Sequence, residues 1–256
     1  MSARLANKVA VVTGIGAGIG RGVALRFARE GATVIGCDIN SSTAEATVAA
    51  AQAEGLKLSS IHPCDLTREM DVGRLIGASG GVHGRIDILV NAAAIAPHTA
   101  RVADMSYVPQ WTETLKGEVD IVFLACKAAW PYLQASGAAS IINFASVNAF
   151  RGSNNFGMVA HCAGKGAVLA MTRQLALEGA PTIRANTISP GLVQTAATVS
   201  ANATDGPIAA AILSRIPMMR FGTPEDIASC AVFLGSDESS WITGANVPVD
   251  GGVLAN

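Results

Sequence analysis

Short runs of β-branched and aliphatic residues alternate along the chain with longer stretches in which apolar positions recur every three to four residues. The run over 8–13 (KVAVVT) predicts a first strand, a glycine-rich turn follows, and 19–30 has helical spacing that stops at Gly31. The unit then recurs, with strands predicted over 33–37, 56–62 and 86–90 and helices over 41–54 and 67–79. A long, largely apolar helix is predicted over 109–134, then a strand over 140–144, a helix over 158–178 and a strand over 182–188. A last helix over 224–234 precedes a closing strand over 246–249. Strands alternating with helices imply right-handed crossovers, so the predicted fold class is α/β, a doubly wound parallel sheet flanked by helices on both faces. Only 190–219 breaks the rhythm: it is rich in Ala, Thr and Ser, lacks a strand signal, and follows a strand end, where a substrate lid is expected.

Composition narrows this picture without changing it. A chain of 256 residues suits one large α/β domain over 1–256, since two domains would leave each half with a small core. Half the residues are hydrophobic but only 5% are aromatic, so small aliphatic side chains dominate, as tight helix-on-sheet layers require. The formal net charge is −1 and there is no Lys/Arg run, which argues against nucleic acid or an anionic membrane surface as partner. Cys37, Cys64, Cys126, Cys162 and Cys230 are scattered, with no CxxC pair and no Cys/His grouping at ligand spacing, so no metal site is predicted. They read as reduced thiols of a cytoplasmic protein. The first residues run at once into a strand and no uninterrupted apolar run reaches spanning length, so a soluble protein without signal peptide is expected.

Chemistry enters at the first turn, Thr13-Gly14-Ile15-Gly16-Ala17-Gly18-Ile19-Gly20. Glycines between a strand and a helix let backbone N–H groups approach a pyrophosphate without Cβ clashes, although glycine turns also arise from tight packing alone. Asp38, at the end of the second strand, stands where a carboxylate accepts hydrogen bonds from an adenosine ribose. A carboxylate there repels a 2′-phosphate, and Ala17 offers no cation to bind one, so NAD is predicted over NADP on a Rossmann-like fold.

With these features in place the chain resembles the short-chain dehydrogenase/reductase family over nearly its whole length. The matching pieces are Thr13-Gly14-xxx-Gly18-x-Gly20, Cys64-Asp65-Leu66, Asn91-Ala92-Ala93-Ala94, Ile142-Asn143-x-x-Ser146, Lys165, Arg184-x-Asn186, Pro190-Gly191 and Asp250-Gly251-Gly252. The resemblance implies that Gly14, Gly18, Ile19 and Gly20 cradle the cofactor and that Asp65 and Leu66 meet its adenine. It also implies that Asn91 stabilises the sheet beside it, and that Lys165 and Pro190, Val193 and Thr195 hold its nicotinamide end. A small-molecule substrate and a homo-oligomer, a tetramer or else a dimer, are implied as well.

The reaction site departs from the family pattern. The family uses a Ser, a Tyr and a Lys four residues after the Tyr, supported by an Asn on the long central helix. Here Lys165 puts His161 at the tyrosine position, Ser146 matches the serine, and Glu118 falls where the Asn is expected. The remaining tyrosines, Tyr107 and Tyr132, precede the serine-bearing strand. A free histidine titrates near 6.5 and a tyrosine near 10, so histidine needs less tuning to exchange protons at neutral pH. Glu118 would pair either with His161, fixing its tautomer as a carboxylate does in Ser-His-Asp systems, or with Lys165.

Three functions stay open on the sequence. In the first, the chain is an NAD(H)-dependent oxidoreductase interconverting a secondary alcohol and a ketone on a small neutral or apolar substrate, with His161 transferring the proton. In the second it binds NAD without dehydrogenase activity. In the third it is a non-redox epimerase or lyase using Glu118, Ser146 and His161. His62, His83 and His98 read as structural, with a substrate contact as the lesser alternative for His98 alone. Trp111, Trp130 and Trp241 are expected to anchor packing, with surplus apolar surface on the central helices left for another subunit.

Overall fold

The computed structural model describes residues 3–153, 156–200, 204 and 206–255. Seven strands, β1 (Val9–Thr13), β2 (Thr33–Cys37), β3 (Leu58–Ile61), β4 (Ile88–Asn91), β5 (Ala139–Phe144), β6 (Ile183–Pro190) and β7 (Asn246–Val249), form one sheet in the order β3-β2-β1-β4-β5-β6-β7. Every pairing is parallel. All residues of β1, β4 and β5 are buried, the signature of strands covered on both faces, which is why they read as continuous apolar runs in the sequence.

The faces separate by the two-residue period of a strand. Ala10 and Val12 of β1 and Ile142 and Phe144 of β5 point into one core, with Val23 and Phe27 of α1 (Gly18–Arg29) and Ile227 and Val232 farther along the chain. Val9, Val11, Ala139 and Ile141 point into the other, with Leu75, Val122, Leu133 and Val168. The remaining helices are α2 (Ser41–Ala53), α3 (Glu69–Ile76), α4 (Thr112–Leu115), α5 (Ile121–Ser136), α6 (Val159–Gly179), α7 (Ala196–Ser200), α8 (Gly206–Leu213) and α9 (Pro224–Gly235). Strand order reverses between β1 and β4, and that switch opens a crevice at the carboxyl ends of the strands.

Four expectations need correction. The helix predicted from 67 begins at Glu69, because the N–H and hydroxyl of Thr67 are both spent on Asp65 Oδ1, at 2.9 and 2.7 Å. The central helix is not one regular helix: between α4 and α5 the turn Lys116–Asp120 widens to i→i+5 hydrogen bonding, which puts an extra residue into the turn. Trp241 anchors nothing, being 99% exposed; its neighbour Ile242 turns inward instead, and the Ile242 carbonyl accepts from Asn186 Nδ2 at 2.8 Å. The stretch 190–219 contains α7 and α8, both short, while Asp205 lies outside the described residues.

Candidate active site

The glycine turn is held from below. Ile15 is fully buried, and the Cys37 carbonyl accepts the N–H groups of Gly14 and Ile15 at 2.8 and 3.1 Å, tying the turn to the end of β2. Gly14 has φ +72°, and a Cβ on it would lie 2.8 Å from the Ala93 Cα; a Cβ on Gly20 would overlap the Gly14 carbonyl oxygen. No side chain caps α1, so its first N–H groups, at the positive end of the helix dipole, are left to the crevice.

Above the turn lies a cleft of about 420 Å³. Gly14, Gly18, Ile19, Gly20, Asp38, Asp65, Leu66 and Thr195 line it, as the sequence predicts. Cys37, Cys64, Ala92–Ile95, Gly117 and Ile121 line it too, and sequence reasoning missed their part in it. Asp38 Oδ2 accepts from Gly16 N at 2.8 Å and Oδ1 from Asn40 N at 2.9 Å, which fixes the carboxylate against the turn. Among the described residues that line it there is no lysine or arginine, and Arg21 lines the adjoining pocket over residues 16–18. The glycine cradle, the uncapped helix end and the carboxylate after β2 fit a dinucleotide with its pyrophosphate on α1.

Four predicted cofactor residues do not line the cleft. Asn91 lies beneath it: its Nδ2 donates to Asn143 Oδ1 at 2.8 Å, and Asn143 Nδ2 donates to Thr172 Oγ1 at 2.8 Å, so a buried amide chain ties β4 to β5 and α6. Pro190 and Val193 shape the strand end, Pro190 in register with Val249 and Val193 bridged to Gly222. Lys165, on α6, is buried and donates from Nζ to the Phe144 carbonyl at 3.3 Å. Burial pushes its ammonium pKa below the ordinary lysine value, and the Glu118 charge opposes that shift.

The residues predicted for the reaction site gather around the start of α6. His161 Nδ1 and Glu118 Oε1 are hydrogen-bonded at 2.6 Å, so of the two partners open to Glu118 it takes His161 as its hydrogen-bonding one. The contact occupies Nδ1 and leaves Nε2 as the ring nitrogen without a partner among the described residues. Glu118 is delivered by the widened turn and is 1% exposed; its Oε2 has no partner among the described residues. Gly164 makes the room, since a Cβ there would lie 2.5 Å from Oε2. Gly117, next to Glu118, lines the cleft, whereas Glu118, His161 and Ser146 are not among its lining residues.

Ser146 ends β5's extension and its Oγ accepts from Asn148 N at 3.1 Å, in a short turn that packs on α6. Tyr132 lies with its ring over Gly80 and Tyr107 is exposed, so neither is drawn into this cluster. His62 contacts Ser60 and Glu45, and His98 is not among the cleft residues. Among the described residues no group of His, Cys, Asp and Glu is placed to hold a metal ion.

A switch-point cleft of this kind, on a seven-stranded parallel sheet, defines a dinucleotide-binding protein of the doubly wound class. A family model described as enoyl-(acyl carrier protein) reductase matches residues 14–254. The chain is 38% identical to D-threitol dehydrogenase of Mycolicibacterium smegmatis over 253 residues, covering 97% of this chain and 94% of that one. It is 35% identical to meso-2,3-butanediol dehydrogenase of Serratia marcescens, covering 99% and 97%. A crystal structure from Agrobacterium tumefaciens, assigned as a 2-deoxy-d-gluconate 3-dehydrogenase with bound NADP, superposes with a TM-score of 0.89 at 31% identity, covering 99% of each chain. The chain belongs to the short-chain dehydrogenase/reductase family, a family of oxidoreductases that use NAD or NADP.

Proposed function

We propose that this chain is an NAD(H)-dependent oxidoreductase that interconverts a secondary alcohol and a ketone on a small neutral substrate, with His161 as its proton-transfer residue. The observation that carries the reading is the buried 2.6 Å contact between His161 Nδ1 and Glu118 Oε1, which orients an imidazole four residues before Lys165. In the oxidising direction His161 Nε2 takes the hydroxyl proton as the carbon–hydrogen bond breaks. Glu118 holds the ring and balances the charge it acquires, while Ser146 and Lys165 supply hydrogen bonds on either side. Bound nicotinamide supplies hydride transfer.

Two relatives are named for threitol, a tetrol, and 2,3-butanediol, a diol, both small neutral polyhydric alcohols, which supports a substrate of that kind. Asp38, whose carboxylate would repel a 2′-phosphate, supports NAD over NADP. Thr195, Ala196 and Ala197 line the cleft at the start of 190–219, which supports this stretch as the substrate lid. Phe123 on α5 and Leu177 on α6 are exposed, which supports packing of those helices in a homotetramer. A cytoplasmic location completes the proposal; no described helix is long and apolar enough to cross a membrane.

The test is NADH absorbance with a panel of neutral diols and polyols, using NAD⁺ and NADP⁺ in parallel. Turnover with NAD⁺, reduced about 10²- to 10⁴-fold in His161→Ala, is expected. Equal rates in the two proteins overturn the proton-transfer role. The unpartnered Oε2 of Glu118 favours one second reading, a non-redox acid–base reaction on Glu118, Ser146 and His161. Product formed without net NADH would establish it, whereas cofactor binding with no product would mark a binding protein.

A further inference from the structure

The segment 92–95, which follows β4, touches two turns of the crevice. The Ala93 amide donates to Thr13 Oγ1 at 3.0 Å, and a Cβ on Gly14 would lie 2.8 Å from the Ala93 Cα, so Ala93 is seated on the glycine turn. Two residues on, Ile95 meets the widened turn 116–120. A Cβ on Gly117 would lie 2.6 Å from Ile95 Cγ2, 2.8 Å from Cγ1 and 3.0 Å from Cδ1, so the isoleucine rests on bare backbone. Gly117 is buried, while Ile95 lines the cleft and keeps 37% of its surface exposed.

The widened turn in its turn has one side in the cleft and one against α6. Gly117 and Ile121 line the cleft, and Glu118 between them faces α6, where its Oε1 meets His161 Nδ1 at 2.6 Å. Gly164 backs the carboxylate, since a Cβ there would lie 2.5 Å from Oε2. Glu118 is thus held between α6 and a turn that Ile95 covers from the cleft side.

We propose that Ile95 is a positioning residue: pressed between a bound dinucleotide and the widened turn, it sets where Glu118 holds the His161 ring. This deepens the functional reading and rests on it, both for the cleft as dinucleotide site and for His161 as the proton-transfer residue. Isoleucine branches at Cβ and has little χ1 freedom, so it passes a push on instead of absorbing it in a new rotamer. The wall is close-packed, so a displacement at Gly117 is taken up by the turn itself. A ligand that covers the open side of Ile95 narrows the positions left to Gly117, and with them those of Glu118. Ile95 touches no reacting atom in this scheme; it acts through Glu118.

The experiment follows the imidazole Cε1–H resonances of the four histidines by NMR, with His161→Gln assigning the His161 signal. The ligand is ADP, which carries the adenosine and pyrophosphate but no nicotinamide end, at concentrations that calorimetry shows to saturate each variant. ADP is expected to move the His161 resonance in the wild type and in Ile95→Val, which keeps the Cβ branch, and to move it by half as much or less in Ile95→Ala. In the free protein, Gly117→Ala should displace the same resonance, because its methyl meets the isoleucine, and adding Ile95→Ala should return most of the displacement. Bound ADP that leaves His161 unmoved, or moves it equally in Ile95→Ala, overturns the link to the cofactor. A folded Gly117→Ala with an unmoved His161 resonance overturns the positioning role. Should Gly117→Ala not fold, free Ile95→Ala and Ile95→Val decide: a displacement in the first alone supports the role, and none in either overturns it. Failure of the wild type to bind ADP or NAD⁺ overturns the dinucleotide reading and the link with it, while the variants of the free protein still decide the positioning role.

Discussion

The two ends of the crevice are built on different principles. At the nucleotide end the recognition surface is mostly main chain: the glycine turn, the open start of α1, and amides clamped by the Cys37 carbonyl and Asp38. At the proposed reaction end everything depends on side chains, His161 on Glu118 and Lys165 on the Phe144 carbonyl. The cradle admits little substitution at Gly14 and Gly20, where any alternative to glycine adds a Cβ where other main chain already sits. A side-chain cluster can be rebuilt, provided that partners change together and a neighbour such as Gly164 leaves the space.

The largest effect should come from breaking the cradle. A Cβ on Gly20 overlaps the Gly14 carbonyl oxygen, which is backbone and has nowhere to go. Gly20→Val should abolish measurable NAD⁺ binding by calorimetry, a loss of at least about 100-fold on the scale of a displaced pyrophosphate contact. Retained affinity would show that the turn does not hold the pyrophosphate.

Next comes the question whether His161 and Glu118 act as a unit. His161→Tyr alone should be inactive, because it sets a phenol against a buried carboxylate whose Oε2 already lacks a partner. Adding Glu118→Asn should recover turnover at least tenfold over the single variant, with NAD⁺ affinity constant across the series. Additive losses in the double-mutant cycle would mean that the two residues do not cooperate.

Gly164→Ala should act more mildly and through the same pair. The new methyl meets Glu118 Oε2 at 2.5 Å, so the carboxylate must shift off the imidazole. A decrease of about tenfold in kcat, with KM for NAD⁺ unchanged, is the expected signature of a positioning defect.

Much of this was legible in the sequence, for reasons that differ by region. β1, β4 and β5 are buried on both faces, so their composition alone marks them, and β7 matches its predicted bounds of 246–249. The glycine turn and Asp38 were legible because backbone geometry demands glycine, and a strand end fixes where a carboxylate sits. The widened turn at 116–120 was not, since apolar spacing near 3.6 does not reveal one added residue. Trp241 misled because size does not imply burial; the inward position went to Ile242. The Asn91–Asn143–Thr172 chain is a product of strand register, which no local window contains.

The smallest effect tests whether the reaction end carries a stability cost that the nucleotide end does not. Lys165 is buried, and desolvation holds its folded pKa below the value near 10.4 of the unfolded chain. Between those two values the unfolded state binds more protons, so this residue makes stability rise with pH across that window. Below the folded value the charged amine is carried into the core at full penalty; above 10.4 both states are neutral and the penalty vanishes. Lys165→Met, which keeps the length of the side chain without the charge, should therefore unfold at a higher temperature than the wild type at neutral pH. The advantage should shrink as pH approaches 10.4. Thermal unfolding followed by circular dichroism across that range reads the difference. A gap that stays constant with pH would mean that Glu118 compensates the amine fully, and the contrast between the two ends would then lie in chemistry alone.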